Sequence, residues 1–163
     1  MRKLTATFCL TIAVLVGSAG VSFGADYREG VTTYQRGDYT TAFRELKLLA
    51  AEGNAEAQNN LGVMYRSGLG IPKDDQTALK WFRLAAEQGD APAQANLGYM
   101  YANGMGIPQD WVYAYMWSKI SASSLFMGAV NNIDIFAKQM TLSQLEKAQK
   151  LARECVRKEY IGC

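Results

Sequence analysis

Apolar residues recur at helical spacing through most of this chain. Leu61 and Tyr65 lie four apart, and Ala78, Trp81, Phe82 and Ala85 fall at i, i+3, i+4 and i+7. That spacing puts each set on one face of a helix. It predicts helices over Ala55–Ser67 and Asp75–Gln88, with SGLGIPKD between them. In that connection Gly68 and Gly70 can take left-handed backbone angles, and Pro72 cannot continue a helix. Asp74 is placed to cap the second helix, which ends at Gly89; Asp90 and Asn54 cap the helices that follow the neighbouring breaks.

The pattern is written twice. AEAQNNLGVMYRSGLGIPKD from residue 55 returns at residue 91 as APAQANLGYMYANGMGIPQD, and residues 55–90 match residues 91–126 at 16 of 36 positions. Leu61, Gly62 and Tyr65 match Leu97, Gly98 and Tyr101; Ala78, Trp81 and Ala86 match Ala114, Trp117 and Ala122. Self-similarity at such a period marks a stack of like units. The six residues Leu61, Tyr65, Trp81, Leu97, Tyr101 and Trp117 are expected in the core. An older copy lies upstream, with Gly30, Ala42, Leu46 and Gly53 in matching positions and a turn, Arg36-Gly37-Asp38-Tyr39, four residues shorter. After Phe126 the pattern fades into a helix over Met127–Gln139 and another opened by a capping box at Thr141–Gln144. On this last helix Leu142, Leu145, Ala148, Leu151, Ala152 and Cys155 form the apolar stripe, and Glu146 and Lys150 an outer i, i+4 pair.

The amino terminus follows another rule. Arg2 and Lys3 precede a mostly apolar run, Leu4–Val16, and then small residues. This predicts a secretory signal peptide over residues 1–24, cut after Gly24, and a periplasmic or secreted chain; an uncleaved anchor is the rival reading. Cys9 sits inside the apolar run, so it is not a lipobox cysteine. The organisation is then 25–126 for the repeats (25–54, 55–90, 91–126) and 127–163 for a helical cap.

Cleavage alters the charge. The whole chain has 17 Lys and Arg against 15 Asp and Glu; without Arg2 and Lys3 the two are equal. A neutral chain is a poor nucleic-acid binder, because phosphate binding needs surplus cations. Of three cysteines, Cys155 and Cys163 remain, and in an exported protein they are expected to pair as a disulfide that staples the terminus. No metal site and no cofactor is expected: the pair lacks CxxC spacing, and there is no histidine. That absence removes the usual general base and both common histidine-assisted nucleophile systems, so no catalytic residue is assigned. The GxG pairs in GLGIP and GMGIP follow helices, not strands, which makes them turns and not phosphate loops.

The phrases AEAQNNLGVMYRSGLGIPKDDQTALKWFRLAAEQGD and APAQANLGYMYANGMGIPQDWVYAYMW closely resemble Sel1-like repeats, relatives of tetratricopeptide repeats. MTLSQLEKAQKLAREC resembles the carboxyl-terminal cap of bacterial members. The resemblance implies an all-α fold, an α/α superhelical solenoid of about three helix pairs with a C-terminal capping helix pair, which holds a protein or peptide partner. It implies a non-enzymatic scaffold of the bacterial envelope, in settings such as envelope signalling, exopolysaccharide regulation or virulence. Neither nucleic acid nor, after cleavage of the signal, membrane is an expected partner. In such stacks the first helix of each pair lines the concave face. The residues between core positions there are Asn59, Asn60, Val63 and Arg66, their counterparts Ala95, Asn96, Tyr99 and Ala102, and in the first unit Tyr27, Arg28, Val31 and Tyr34. Asn60 and Asn96 are expected to hydrogen-bond a peptide backbone, Arg66 to take a carboxylate, and Tyr34 and Tyr99 to supply apolar area. Cysteine-rich relatives linked to β-lactam or peptidoglycan chemistry keep an enzymatic alternative open. They carry a cysteine pair in each repeat, whereas this chain has one pair outside the repeats. A passive spacer is the third reading.

Overall fold

The computed structural model describes residues 23–124 and 126–163. The predicted signal peptide lies almost wholly outside the described residues. Among the described residues eight helices follow in order: α1 Phe23–Gln35, α2 Tyr39–Ala51, α3 Ala55–Ser67, α4 Asp75–Glu87, α5 Ala91–Asn103, α6 Trp111–Ser123, α7 Met127–Ala137 and α8 Leu142–Arg157. Among the described residues there is no strand.

Local chemistry sets the helix starts. Side-chain oxygens of Asp38, Asn54, Asp74, Asp90 and Asp110 accept from backbone N–H groups two or three residues on. Each satisfies donors that the first helical turn leaves unpaired. Thr141 and Gln144 form the expected capping box. Gly68 and Gly104 close α3 and α5 in the left-handed conformation, at φ 68° and 65°.

Helices pair as α1–α2, α3–α4 and α5–α6, and each pair packs on the next through α2–α3 and α4–α5. Glycine sets how closely two partners approach. A Cβ on Gly62 would lie 2.5 Å from the Phe82 ring, and one on Gly98 would lie 2.5 Å from Ser118 Oγ and 2.9 Å from the Ala114 carbonyl oxygen. Between pairs, buried Gln58 and Gln94 donate to the Ala50 and Ala86 carbonyls at the ends of the preceding α2 and α4.

The long glycine loop has a second function in packing. A Cβ on Gly70 would lie 2.7 Å from the backbone of Tyr39, the first residue of α2, and one on Gly106 2.6 Å from Asp75, the first residue of α4. Each loop rests on the helix start of the preceding unit. The shorter turn of the first unit makes no such approach: a Cβ on Gly37 would meet nothing within 4 Å.

The final unit departs from the others: α7 and α8 each pack on α6 and scarcely on one another. Yet α7 keeps the repeat register. Ala57, Ala93 and Ala129 are wholly buried at 36-residue spacing, and Met64, Met100 and Phe136 are buried at the same spacing. Several expectations are corrected here. Trp81 and Tyr65 are half-buried, and the neighbouring Phe82 is the ring that fills the core beneath Gly62. Leu142 is 81% exposed; the core contacts of α8 come from Leu145, Ala148, Leu151, Ala152 and Cys155. Lys150 reaches Glu154 at 3.9 Å and not Glu146. The helix after Phe126 stops at Ala137, two residues short of the expected end. Cys155 and Cys163 are joined by a disulfide with Cα atoms 5.6 Å apart, which folds the tail so that Tyr160 rests on Gly89.

Candidate functional site

The first helices of the pairs, α1, α3 and α5, are tied to each other by polar side chains. Asn60 Nδ2 donates to Tyr27 Oη at 3.2 Å. One unit on, Asn96 Nδ2 donates to Asn59 Oδ1 at 3.0 Å. The two bonds are successive rungs of one ladder, since Asn60 and Asn96 are 36 residues apart. Arg66 adds a third contact, donating through Nη1 to Asn96 Oδ1 at 2.8 Å. The asparagines expected to meet a peptide backbone are therefore engaged between helices. Ala95 and Ala102, expected on the open face, are buried, Ala102 as part of the hydrophobic core. Arg28 is exposed and Val31 half-buried.

Arg66 is the best-positioned cation on this face. Its guanidinium lies 5.6 Å from the centroids of both the Phe82 and Tyr99 rings, an arrangement that attracts a cation to the π face. Among the described residues no carboxylate lies within 4.0 Å of it. Burial pushes the Tyr34 phenol above its ordinary 10.0, and the Arg66 charge opposes that rise, so Tyr34 lies within electrostatic reach of Arg66. Tyr27 is likewise raised, by burial first and by the Glu56 charge second. Tyr99 is 42% exposed.

Arg66, Asn96 and Tyr99 border a cavity of about 450 Å³ that opens between α3, α5 and α7. Its other walls come from residues the sequence did not single out: Pro92, Met105, Phe126, Gly128 and Asn132. The repeat register explains the space. Pro92 and Gly128 occupy the position held by Glu56 in the second unit, and Ala95 that held by Asn59. Phe126 stands where Asn54 and Asp90 cap their helices; it makes no side-chain cap bond, and its ring folds over the start of α7. A Cβ on Gly128 would lie 2.8 Å from that ring. Tyr34, Asn59, Asn60 and Val63 stand outside the cavity wall, on the same helix layer; Val63 is half-buried against the core.

Stacked like helix pairs with a surface that runs from unit to unit define a solenoid repeat protein, a class that works by contact with other macromolecules. The Sel1 repeat family matches residues 55–90 and 91–124, so the chain carries two Sel1 repeats in tandem. Two solved structures agree. A protective antigen of uropathogenic Escherichia coli strains that displays an SLR fold is 29% identical with a TM-score of 0.81, over 86% of this chain and 32% of that one. A Sel1 repeat protein from Oxalobacter formigenes is 30% identical with a TM-score of 0.66, over 77% of this chain and 53% of that one. The chain thus spans about a third of the first and half of the second. No curated protein matches the sequence. Sel1 repeats generally mediate protein–protein interaction, and their proteins are typically non-enzymatic scaffolds.

Proposed function

We propose that this chain is a non-enzymatic scaffold of the bacterial envelope that holds a peptide or protein segment across its α1–α3–α5–α7 face. The contact residues are Tyr34, Arg66 and Tyr99, with Asn96, Asn59 and Asn60 holding the helices in register beneath and Val63 supporting them. One observation carries the reading: a cavity on that face holds an exposed aromatic ring and a cation that, among the described residues, has no carboxylate partner. Exposed, rigid aromatic area beside an arginine is the composition of energetic centres in interfaces. The export part rests on the Cys155–Cys163 disulfide, at home in an oxidising compartment, and on the basic-then-apolar amino terminus. Among the described residues no helix is long and apolar enough to cross a membrane.

The test is selection of binders from a displayed library of random 12-residue peptides. Clones held by the native chain are expected to be lost on Tyr99→Asp and kept on Leu48→Asp, a change on the exposed side of α2. Clones indifferent to Tyr99→Asp would overturn the reading. So would hydrolysis of a chromogenic cephalosporin by the purified protein.

A further inference from the structure

The inter-helix ladder has a periodic rule, and the rule breaks at the cavity. Asn60 donates back to Tyr27, and Asn96 donates back to Asn59. The next residue in that 36-residue register is Asn132 on α7, and the side chain it would meet is Ala95, which has no acceptor. Among the described residues the Asn132 amide makes no hydrogen bond, and it lines the same cavity as Arg66. Arg66 has five N–H donors, one of which is engaged by Asn96. Two polar groups therefore border one space: a cation that among the described residues has no carboxylate partner, and an amide whose counterpart in the ladder is a methyl group. The remaining wall is apolar, from Pro92, Met105 and the Phe126 ring.

We infer that the cavity recognises an aspartate or glutamate side chain within a peptide segment, next to a bulky apolar residue. The carboxylate pairs with Arg66 and accepts from the Asn132 amide, and the apolar neighbour packs against Phe126 and Met105. This deepens the proposed function and rests on it. The anion is a side chain and not a chain end for two reasons. The helix layer continues past the cavity to Tyr34 and Tyr27, so a segment laid on it extends beyond the anchored residue. A nest of backbone N–H groups, one mode by which a chain-terminal carboxylate is captured, is also missing at Arg66 and Asn96, which lie within α3 and α5, where those groups are bonded along the helix.

The experiment uses the same displayed peptides, followed by synthetic versions acetylated and amidated at their ends. Binders of the native chain are expected to be enriched in Asp or Glu beside an aromatic or branched aliphatic residue. Replacing that acid by its amide should weaken binding about 10- to 100-fold, the size expected for a hydrogen-bonded charge. On Arg66→Glu the selected residue should change to Lys or Arg; Asn132→Ala, at a half-buried position, should give a smaller loss with the fold unchanged by circular dichroism. Amidated peptides that fail where free carboxyl termini bind would overturn the assignment to a side chain. Binders lost on Tyr99→Asp but indifferent to acid content would overturn the inference and leave the binding face standing. Binders indifferent to Tyr99→Asp would remove both.

Discussion

At single positions, two kinds of residue set this fold: glycines that permit close approach, and side chains that cap helices. Gly98→Ala puts a methyl group against Ser118 and a backbone carbonyl. It should lower stability by about 1–3 kcal/mol, the usual cost of overpacking, read as a fall in the thermal midpoint. The caps differ in their response to pH. Asp38 and Asp74 are held below the ordinary 3.8, chiefly by hydrogen bonds from Thr41 and Thr77. Their stabilisation is present above the unfolded-state pKa and is lost as pH falls through the lower folded value. Asp90 is raised, chiefly by burial, so its charged form costs the fold, and its contribution worsens as pH rises from 3.8 through the raised value. Asn is as good an N-cap as Asp, and Asn54 fills the same position one unit earlier. Asp90→Asn should therefore match or exceed the native thermal midpoint at pH 7 and lose that advantage below pH 3.8. A native protein that stays the more stable at pH 7 would contradict the burial argument.

Elements follow from how these residues recur. Gly37 and Gly70 both have positive φ, 83° and 72°, but only Gly70 touches another unit. Gly37→Ala should cost about 1–2 kcal/mol for the left-handed angle alone, and Gly70→Ala clearly more, measured by denaturant unfolding. Equal losses would mean the loop does not bear on α2. At the other end, the disulfide closes a turn in which Glu159 and Tyr160 hold positive φ. Reduction should lower stability by about 2–3 kcal/mol on the chain-entropy estimate, and Cys163→Ser should show the same loss without responding to reductant. This scale also separates what the sequence revealed from what it hid. Caps, loop glycines and helix spans depend on residues within a few positions of each other, so Asp74, Gly68 and the Thr141 box were legible. The ladder was not, because it joins Asn60 to Tyr27 and Asn96 to Asn59 across units, and nothing in either local stretch states the register. Trp81 misled for the same reason: whether it or Phe82 fills the space under Gly62 depends on the turn of α4 against its neighbours. The register of α7 was present in Ala129 and Asn132, but two small matches do not announce a repeat.

The whole molecule is a stack in which each unit covers the last, and its interruption creates the candidate site. Arg66 and Tyr99 stood out in the sequence as residues between core positions. Phe126, Gly128 and Asn132 did not, because they lie beyond the recognisable repeat. At the fourth helix of the layer the ladder breaks, because α5 offers Ala95 where α3 has Asn59, and a cavity bordered by Arg66 and Asn132 is left. The most direct measurement is amide chemical-shift mapping of the isotope-labelled chain, titrated with an amidated peptide from the selection. The expected shifts fall on α3, α5 and α7, centred on Arg66, Tyr99 and Asn132, and disappear with Arg66→Glu. Shifts confined to the outer sides of α2, α4 or α8, with those three residues unmoved, would contradict the account.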